Sequence, residues 1–385
     1  MKKVRLRTTR AGGQPIIFRK MVAKADPGTG NGEVVEIEDA RGRILGRGFY
    51  NRKSELALRI LEPGAGPELD TAWLRRRLED CLDLRRRTLG LEGVTDAYRV
   101  VNSEGDGLSG LVVDRYGDVL SLQILSLGWY RRAVELKDAL ASLLRPRAVV
   151  VRSDPAVEKI EGFRVLGESG DESRTVIREH GVRYRVDPAR GHKTGFFLDQ
   201  RDQRGILLAR ARGLRVLDLF CYAGGFSLAA AKGGAAEVRG VDLDEAAVVQ
   251  ARDNAGVNGS PASVTFEHAD AFDALRDAEE ERWDVIVCDP PKLAANRGEL
   301  PGAIRKYEDM NAMAFRKVRR GGLVLSASCS GLVLEPEFLE VLGRAARRAD
   351  RDVRILSVAG AAPDHPWSLV HPRGRYLKNV WSRVL

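Results

Sequence analysis

A cysteine and an aspartate that each follow an apolar strand could perform nucleophilic catalysis. Cys329 comes directly after the run LVLSAS, and Asp289 comes directly after DVIVC. Since the carboxyl ends of neighbouring parallel strands meet at one edge of a sheet, we expect both side chains at that edge. A thiolate can attack an electron-poor carbon and leave again, and an acid beside it can stabilise the developing charge. The alternative for Cys329 is an inert buried thiol.

The strongest local pattern is VLDLFCYAGGFSLAAA, in which an apolar strand passes through a turn of small residues into a helix. Such a turn lets a ligand approach the backbone at the carboxyl end of the strand. A second strand ends at Asp242, twenty-four residues after Asp218. A carboxylate there can bind the two ribose hydroxyls of an adenosine-containing cofactor. The alternative is that Asp242 and the glycines of the turn only end their strands.

The turn matches neither of the glycine patterns that bind phosphates, G-x-G-x-x-G and G-x-x-x-x-G-K-[ST]. We therefore expect a cofactor without a pyrophosphate or triphosphate, which disfavours a nicotinamide oxidoreductase. S-adenosylmethionine fits this expectation, because it has an adenosine and a charged amino-acid end but no phosphate.

The segment DLFCYAGGFS resembles motif I of the class I, Rossmann-like methyltransferases, in the form found in base-modifying RNA enzymes. Further segments resemble the bacterial large-subunit rRNA cytosine-C5 methyltransferases of the three-domain kind. The resemblance covers nearly the whole chain and is densest from 98 to 385. These segments are EGDGLSGLVVDRYGDVL at 104–120, GHKTGFFLDQRDQR at 191–204, HADAF with Asp270, DPPK at 289–292, KYEDMN at 306–311, Ser328-Cys329-Ser330-Gly331, and DHPW at 364–367.

This resemblance implies an α/β fold, with a C-terminal Rossmann-like methyltransferase domain built on a mainly parallel sheet. A β-rich PUA-like RNA-binding domain and a small α+β domain precede it, and we place the three at 1–68, 69–182 and 183–385. The resemblance also implies S-adenosylmethionine as cofactor, no metal, and an RNA partner, either 23S rRNA or a large-subunit assembly intermediate. The cofactor-binding residues implied are Asp218, Phe220, Tyr222, Ala223, Gly224, Gly225, Asp242, Asp270, Asp289, Phe197 and Gln200, and the substrate-binding residues implied are Pro290, Pro291 and Lys292.

Methylation of carbon 5 of a pyrimidine needs covalent activation, because that carbon is a poor nucleophile. A thiolate adds to C6, C5 attacks the cofactor methyl group, and loss of the C5 proton expels the thiol. We assign the nucleophile to Cys329 and the supporting acid to Asp289, while no residue can be assigned as the base that removes the C5 proton. A base inside duplex RNA cannot reach such a site, so we expect a flipped-out or single-stranded target.

Several other residues have a structural interpretation that competes with a functional one. We expect Cys81, Cys221 and Cys288 to be packing residues. For Asp309, Asn311 and His365, a place in the pocket and a hydrogen-bonding role in a loop are equally plausible. The chain also departs from the family: Leu293 stands where many members have Phe, and Ile16-Ile17-Phe18-Arg19 replaces a His-Pro-Trp type of segment.

Composition and charge narrow the class of protein. The chain has 385 residues, 63 basic against 54 acidic, for a net charge of +9, which favours a polyanionic partner. The triplets Arg75-Arg76-Arg77 and Arg85-Arg86-Arg87 lie on a helix predicted over 71–89, where a solvated face is favoured over contact with phosphates. No run of about 18 apolar residues predicts a membrane span. The four cysteines form no C-x-x-C pair, which predicts a cytoplasmic protein.

The sequence predicts an S-adenosylmethionine-dependent methyltransferase that forms 5-methylcytidine in 23S rRNA. One alternative keeps the fold and changes the methylated atom to guanine N7 or uracil C5. The other is a catalytically idle RNA-binding protein. The modified nucleotide and the oligomeric state are not determined by the sequence.

Overall fold

The computed structural model describes residues 1–9, 13–165, 173–189 and 196–385. These residues form two compact units that interleave along the chain. The first comprises Met1–Ile177, Val186–Leu198 and Pro363–Gly374, and the second comprises Arg178–Arg185, Asp199–Ala362 and Arg375–Leu385. Within the described ranges, none of the helices has both the length and the apolar character that crossing a membrane requires.

The first unit begins with a six-stranded sheet in the order β2-β6-β5-β4-β1-β3. Its core is a small apolar cluster that includes Val4, Val35, Ile37 and Leu58. The alternation of apolar and polar residues over 54–61 predicts a half-buried strand there, but the strand begins only at Leu58, because the residues before it form a bend. The strands are β1 Lys3–Leu6, β2 Ile16–Ile17, β3 Val22–Ala25, β4 Glu33–Glu38, β5 Ile44–Tyr50 and β6 Leu58–Pro63.

The same unit continues into a four-stranded sheet in the order β10-β9-β8-β7, packed against helices. Helix α1 begins where Asp70 accepts a hydrogen bond from the Trp73 amide at 2.7 Å, which is a strong N-terminal cap. The elements are α1 Thr71–Asp83, β7 Ala97–Asn102, β8 Leu111–Tyr116, β9 Val119–Ile124, α2 Leu127–Arg131, α3 Ala133–Leu144, β10 Ala148–Arg152 and α4 Pro155–Glu161.

The two sheets of the first unit share one apolar core, to which Phe49 of β5 contributes. The Phe49 ring meets Trp129 edge-on, with ring centroids 5.1 Å apart. Asn51 donates a 2.9 Å hydrogen bond to the buried Glu161 carboxylate at the end of α4. Gly128 permits this approach, because a Cβ atom on it would lie 2.1 Å from Phe49 Cγ.

Replacing Gly128 with alanine should therefore destabilise this packing, even though alanine is the better helix former. We expect Gly128→Ala to lower the free energy of unfolding by about 1–3 kcal/mol, the usual cost of overpacking a core. Urea denaturation followed by tryptophan fluorescence measures the change. The matched control is Gly93→Ala, where an added Cβ meets nothing within 4 Å, and an effect as large in the control would contradict this explanation.

The sequence predicted that the arginine triplets lie on a solvated helix face or contact phosphates. Both predictions are wrong for Arg85, which is 0% exposed. It lies in the π-helical turn Leu84–Thr88 after α1, and its guanidinium donates to both carboxylate oxygens of Asp106, at 2.7 and 2.8 Å. It also donates to the backbone oxygen of Asp364 at 2.7 Å. A buried guanidinium needs such partners, so this arginine holds the DHPW segment to the first unit. The exposed Arg75 and Arg87 pair with acids one helical turn away.

The second unit is built on a seven-stranded sheet in the order β15-β14-β13-β16-β17-β19-β18. Strands β13 to β17 are mutually parallel, whereas β19 runs antiparallel to both β17 and β18. The mainly parallel Rossmann-like sheet predicted from the sequence is confirmed, but its two C-terminal strands were not foreseen. The strands are β13 Arg215–Leu219, β14 Glu237–Asp242, β15 Val264–His268, β16 Trp283–Cys288, β17 Val318–Ser328, β18 Val353–Ala359 and β19 Lys378–Val384.

Helices connect these strands and pack on the sheet through two apolar clusters. A hairpin of β11 Thr175–Glu179 and β12 Val182–Val186 precedes them. Parallel strands need crossover connections, so strands and helices alternate along this part of the chain. The helices are α5 Arg201–Arg210, α6 Gly225–Lys232, α7 Glu245–Asn258, α8 Ala271–Asp277, α9 Leu300–Lys317 and α10 Glu335–Ala349.

Candidate active site

The turn between β13 and α6 has an unusual backbone. Phe220, Tyr222 and Gly224 have positive φ angles of 61°, 48° and 81°, and the first two lack the freedom of glycine. Such strained backbone persists only where its surroundings hold it, and it is concentrated at functional sites. Ala223 between them is buried, and its backbone oxygen accepts a 3.0 Å hydrogen bond from Asn254. The turn is thus held in one shape.

Asp218, the last but one residue of β13, lies fully buried beneath this turn. Its Oδ2 accepts hydrogen bonds from the Ser227 amide and hydroxyl at 2.9 and 2.7 Å. Its Oδ1 is buried with no hydrogen-bond partner in the part of the chain that the structure describes. Burial raises the pKa of Asp218 to about 7, with Asp289 and Asp242 adding to the rise and the Ser227 bonds opposing it. A cation placed here would stabilise the ionised carboxylate.

Asp242 ends β14, and both of its carboxylate oxygens bind backbone amides. Oδ2 accepts from Tyr222 at 2.8 Å and Oδ1 accepts from Asp244 at 2.9 Å. Each oxygen keeps a second lone pair, so the carboxylate can still accept two ligand hydroxyls. The next residue, Leu243, is 65% exposed and offers an apolar surface beside the carboxylate. No sequence signal marks this leucine, because a single exposed leucine is common on protein surfaces.

Asp270 and Gln200 are two further residues that the family resemblance predicts to bind the cofactor. Asp270 caps α8, where its Oδ1 accepts from the amides of Phe272 and Asp273 at 2.7 and 3.2 Å. Gln200 is buried and donates to Asp289 Oδ2 at 3.1 Å, so it orients the carboxyl at the end of β16. The Gln200 Oε1 atom is buried without a hydrogen-bond partner among the described residues.

Other residues predicted from the sequence lie elsewhere in the fold. Phe197 belongs to the first unit, so its role beside the cofactor stays a prediction, and 191–195 of the family-like segment lie outside the described residues. Asn311 is buried and bonded to the Tyr307 backbone oxygen at 2.7 Å. Asp309 pairs with Arg348 on the protein surface, and His365 lies beside Asp364 in the first unit.

Cys329 follows β17 directly, and it is half-buried, whereas the three other cysteines of the chain are buried. All four lie in described parts of the chain. Burial raises the pKa of the Cys81 thiol to about 12 and also raises the pKa values of Cys221 and Cys288. These three thiols therefore stay protonated and unreactive near neutral pH, which leaves Cys329 as the accessible thiol.

Ser330, the neighbour of Cys329, joins three parts of the fold. Its hydroxyl lies 3.3 Å from both the Ala294 amide and the buried Tyr307 hydroxyl of α9. Its backbone oxygen accepts a 2.7 Å hydrogen bond from Lys378 of β19. Lys378 is a site residue that the sequence does not mark, because the strand KNVWSRV mixes polar and apolar residues and the burial of this lysine is set by packing.

The DPPK segment runs from β16 toward Ala294. Pro290 is buried, while Pro291 and Lys292 are exposed. Leu293, where the resembled family often has Phe, is partly buried against the core. An exposed lysine on this segment is available to a polyanion.

Comparisons with known proteins agree with this geometry. Residues 151–362 match the model of the S-adenosylmethionine-dependent methyltransferase family, and residues 8–63 match that of the PUA-like domain. Two curated relatives, from Aeromonas hydrophila and Aeromonas salmonicida, are named ribosomal RNA large subunit methyltransferase I. They are 39% and 40% identical over 378 residues, covering 96% of this chain and 95% of theirs. A solved methyltransferase complexed with S-adenosylhomocysteine (SAH) covers 100% of both chains with a TM-score of 0.81 at 20% identity.

S-adenosylmethionine is therefore the cofactor, and the carboxyls around the turn fit it. Oδ1 of Asp218 has no hydrogen-bond partner among the described residues, and Asp242 and Asp289 are close enough to raise the pKa of Asp218, so this site favours a cation. The sulfonium and ammonium of the bound cofactor would supply that positive charge. Asp242 is the residue that would hold the ribose hydroxyls, and Leu243 would pack on the adenine ring.

Cofactor affinity should depend on pH through Asp218. Since its pKa is about 7, the carboxyl is neutral below that pH and attracts the sulfonium only above it. We expect the dissociation constant to fall about tenfold from pH 5.5 to 7.5, with proton release on binding near neutrality. Titration calorimetry in two buffers of different ionisation enthalpy measures both effects. Asp218→Asn should bind more weakly with a flat pH dependence, and an unchanged slope in that variant would exclude Asp218 as the source.

Proposed function

We infer the function of this chain from its family, because it belongs to the S-adenosylmethionine-dependent methyltransferases that carry an N-terminal PUA-like domain. The proposal is that it methylates carbon 5 of a cytosine in large-subunit ribosomal RNA, in the cytoplasm. The names of its curated relatives support the substrate class. The observation that carries the cytosine-C5 chemistry is the half-buried Cys329 at the carboxyl end of β17.

The proposed reaction begins at the pyrimidine ring. The Cys329 thiolate adds to C6, which forms a C–S bond and moves the electron pair of the C5–C6 double bond onto C5. In the substrate complex the protonated carboxyl of Asp289 donates a hydrogen bond to ring N3 and so stabilises the negative charge that reaches this atom, and Gln200 orients the carboxyl through the 3.1 Å hydrogen bond. When bound, S-adenosylmethionine supplies an electrophilic methyl group. After C5 takes the methyl group, loss of the C5 proton to a base re-forms the double bond and expels the thiolate.

RNA recognition is proposed for the PUA-like domain together with exposed basic residues. The net charge of +9 favours a polyanion, and Lys292 is exposed three residues after Asp289 in the chain. Several basic residues at the N-terminus already have acidic partners: Lys2 pairs with Glu33 at 3.2 Å, and Arg5 pairs with Glu38 at 2.8 Å. The Lys2–Glu33 pair is exposed and therefore weak, so a phosphate can replace Glu33 there, whereas Glu38 is buried.

Methyl transfer from labelled S-adenosylmethionine to unmodified 23S rRNA tests the function. The RNA is digested to nucleosides and the product identified by mass and retention time, with naked rRNA compared against large-subunit assembly intermediates. We expect 5-methylcytidine. A product methylated at guanine N7 or uracil C5 would overturn the proposed atom, and cofactor binding without transfer to any of these substrates would favour the RNA-binding alternative.

A further inference from the structure

Lys378 is a buried lysine in the second unit to which the proposed reaction assigns no role. It is 3% exposed and opens β19, where the antiparallel register places it opposite Ser328, the residue before Cys329. Its ammonium donates to the backbone oxygens of Ser330 and Tyr376 at 2.7 and 2.8 Å. Burying an ammonium is costly unless it is paired, and two neutral carbonyls only partly compensate for the lost hydration.

No carboxylate of the described residues forms an ion pair with this ammonium. Burial lowers the pKa of Lys378 to about 8, and the opposing influences are, in order, Cys329, Glu335 and Glu337. The group with the largest opposing influence is thus the thiol on the loop that Lys378 holds. Glu335 is engaged elsewhere, because it pairs with Arg375. At pH 7 the lysine is still mostly charged.

We propose that Lys378 is a positioning residue that fixes the Cys329 loop through the Ser330 carbonyl and stabilises the Cys329 thiolate with its positive charge. The inference rests on the proposed function, in which Cys329 is the nucleophile. A nearby cation favours the thiolate over the thiol, so the reactive form is present at neutral pH without a dedicated base. When the thiolate becomes a thioether in the covalent adduct, Lys378 no longer has an anion to stabilise, which favours expulsion of the thiolate in the last step.

Other titratable groups face the same loop. Tyr307 of α9 is buried, and burial raises its pKa, so it stays neutral and contributes a hydrogen bond to Ser330. Glu335 and Glu337 of α10 oppose thiolate formation with their negative charge, and Asp289 does so only in its ionised form. Removing the positive charge of Lys378 should therefore raise the pKa of the Cys329 thiol.

The test measures the pH dependence of Cys329 alkylation by iodoacetamide in the full-length protein. Native alkylation reports on Cys329, because Cys81, Cys221 and Cys288 are buried, and Cys329→Ala supplies the blank. Two variants of Lys378 are compared. Lys378→Gln keeps a hydrogen-bond donor but removes the positive charge, and Lys378→Arg keeps both the donor and the charge. Lys232→Met, at an exposed position of the same unit, controls for net charge.

In the wild type we expect the thiol pKa below that of free cysteine, about 8.5. In Lys378→Gln it should rise by about one unit, which slows alkylation at pH 7 about tenfold, while Lys378→Arg and Lys232→Met stay near wild type. The acidic limb of the profile of kcat against pH should shift to higher pH by a similar amount, with the KM for S-adenosylmethionine unchanged. A Lys378→Gln protein with a wild-type thiol pKa would overturn the proposal.

The wild-type measurement keeps the proposal testable even when a variant fails to fold, since a thiol pKa at or above that of free cysteine also excludes it. This readout needs no RNA. If Cys329→Ala still transfers methyl groups, the proposed function fails. If only the alkylation shift is missing, the role of Lys378 fails and the proposed function stands.

Discussion

Cys329→Ala should abolish methyl transfer while leaving cofactor binding within about twofold of wild type. Without the thiolate, C6 has no nucleophile to accept, and C5 of the pyrimidine stays too poor a nucleophile to attack the methyl group. Removing a catalytic nucleophile lowers kcat by about 10⁴-fold or more. Transfer of label to 23S rRNA under single-turnover conditions measures this loss, and calorimetry with S-adenosylhomocysteine measures the affinity. The thiol is half-buried at the end of β17, so alanine is accommodated without a large cavity.

The matched control is Cys81→Ala, which makes the same chemical change in the core of the first unit, far from the proposed chemistry along the chain. It should keep transfer near the wild-type rate and lose only stability, because Cys81 is buried in an apolar cluster. A second readout is an RNA that carries 5-fluorocytidine. Fluorine cannot leave as a proton does, so the covalent adduct should persist on a denaturing gel for wild type and be missing for Cys329→Ala. Methylated RNA from Cys329→Ala would contradict the covalent mechanism and favour methylation of a ring nitrogen.

Asp242→Ala should weaken cofactor binding by about 10²–10⁴-fold. Two hydrogen bonds from ribose hydroxyls to a charged carboxylate contribute about 1.5–3 kcal/mol each. The variant also removes the acceptors for the amides of Tyr222 and Asp244, at 2.8 and 2.9 Å. The strained turn at Phe220–Gly224 then loses a restraint, so the pre-formed cofactor site is weakened as well as the direct contact. Calorimetry with S-adenosylmethionine measures the change.

Asp244→Ala is the control for this variant. It removes a carboxylate two residues away, whose side chain caps α7 through the amides of Ala246 and Ala247. We expect a loss of about 1 kcal/mol in stability, as for other N-terminal caps, with affinity for the cofactor within about threefold of wild type. Equal losses of affinity in both variants would point to damage of the β14–α7 connection, and wild-type affinity in Asp242→Ala would contradict its proposed role.

Local sequence patterns were enough to predict strands of the second unit and the turn of small residues between β13 and α6. Buried parallel strands are largely apolar, and the runs DVIVC and LVLSAS lie in β16 and β17. The residues at their carboxyl ends follow from parallel topology alone, which explains why Asp242, Asp289 and Cys329 could be named in advance. The PUA-like domain was recognised from family resemblance.

The tertiary structure alone decided which distant residues share an environment. The sequence pattern places Arg85 on a charged helix face, but the structure buries it. Its partners there are Asp106 and the backbone oxygen of Asp364, which lies 279 residues after Arg85 in the chain. Lys378 reaches the Ser330 carbonyl across 48 residues, and Gln200 reaches Asp289 across 89. The spacing of apolar residues along the sequence indicates the type and the buried face of one helix or strand. The partner of a buried charge depends instead on how several helices and strands pack together. The role of a charged residue therefore stays ambiguous until the fold shows what lies beside it.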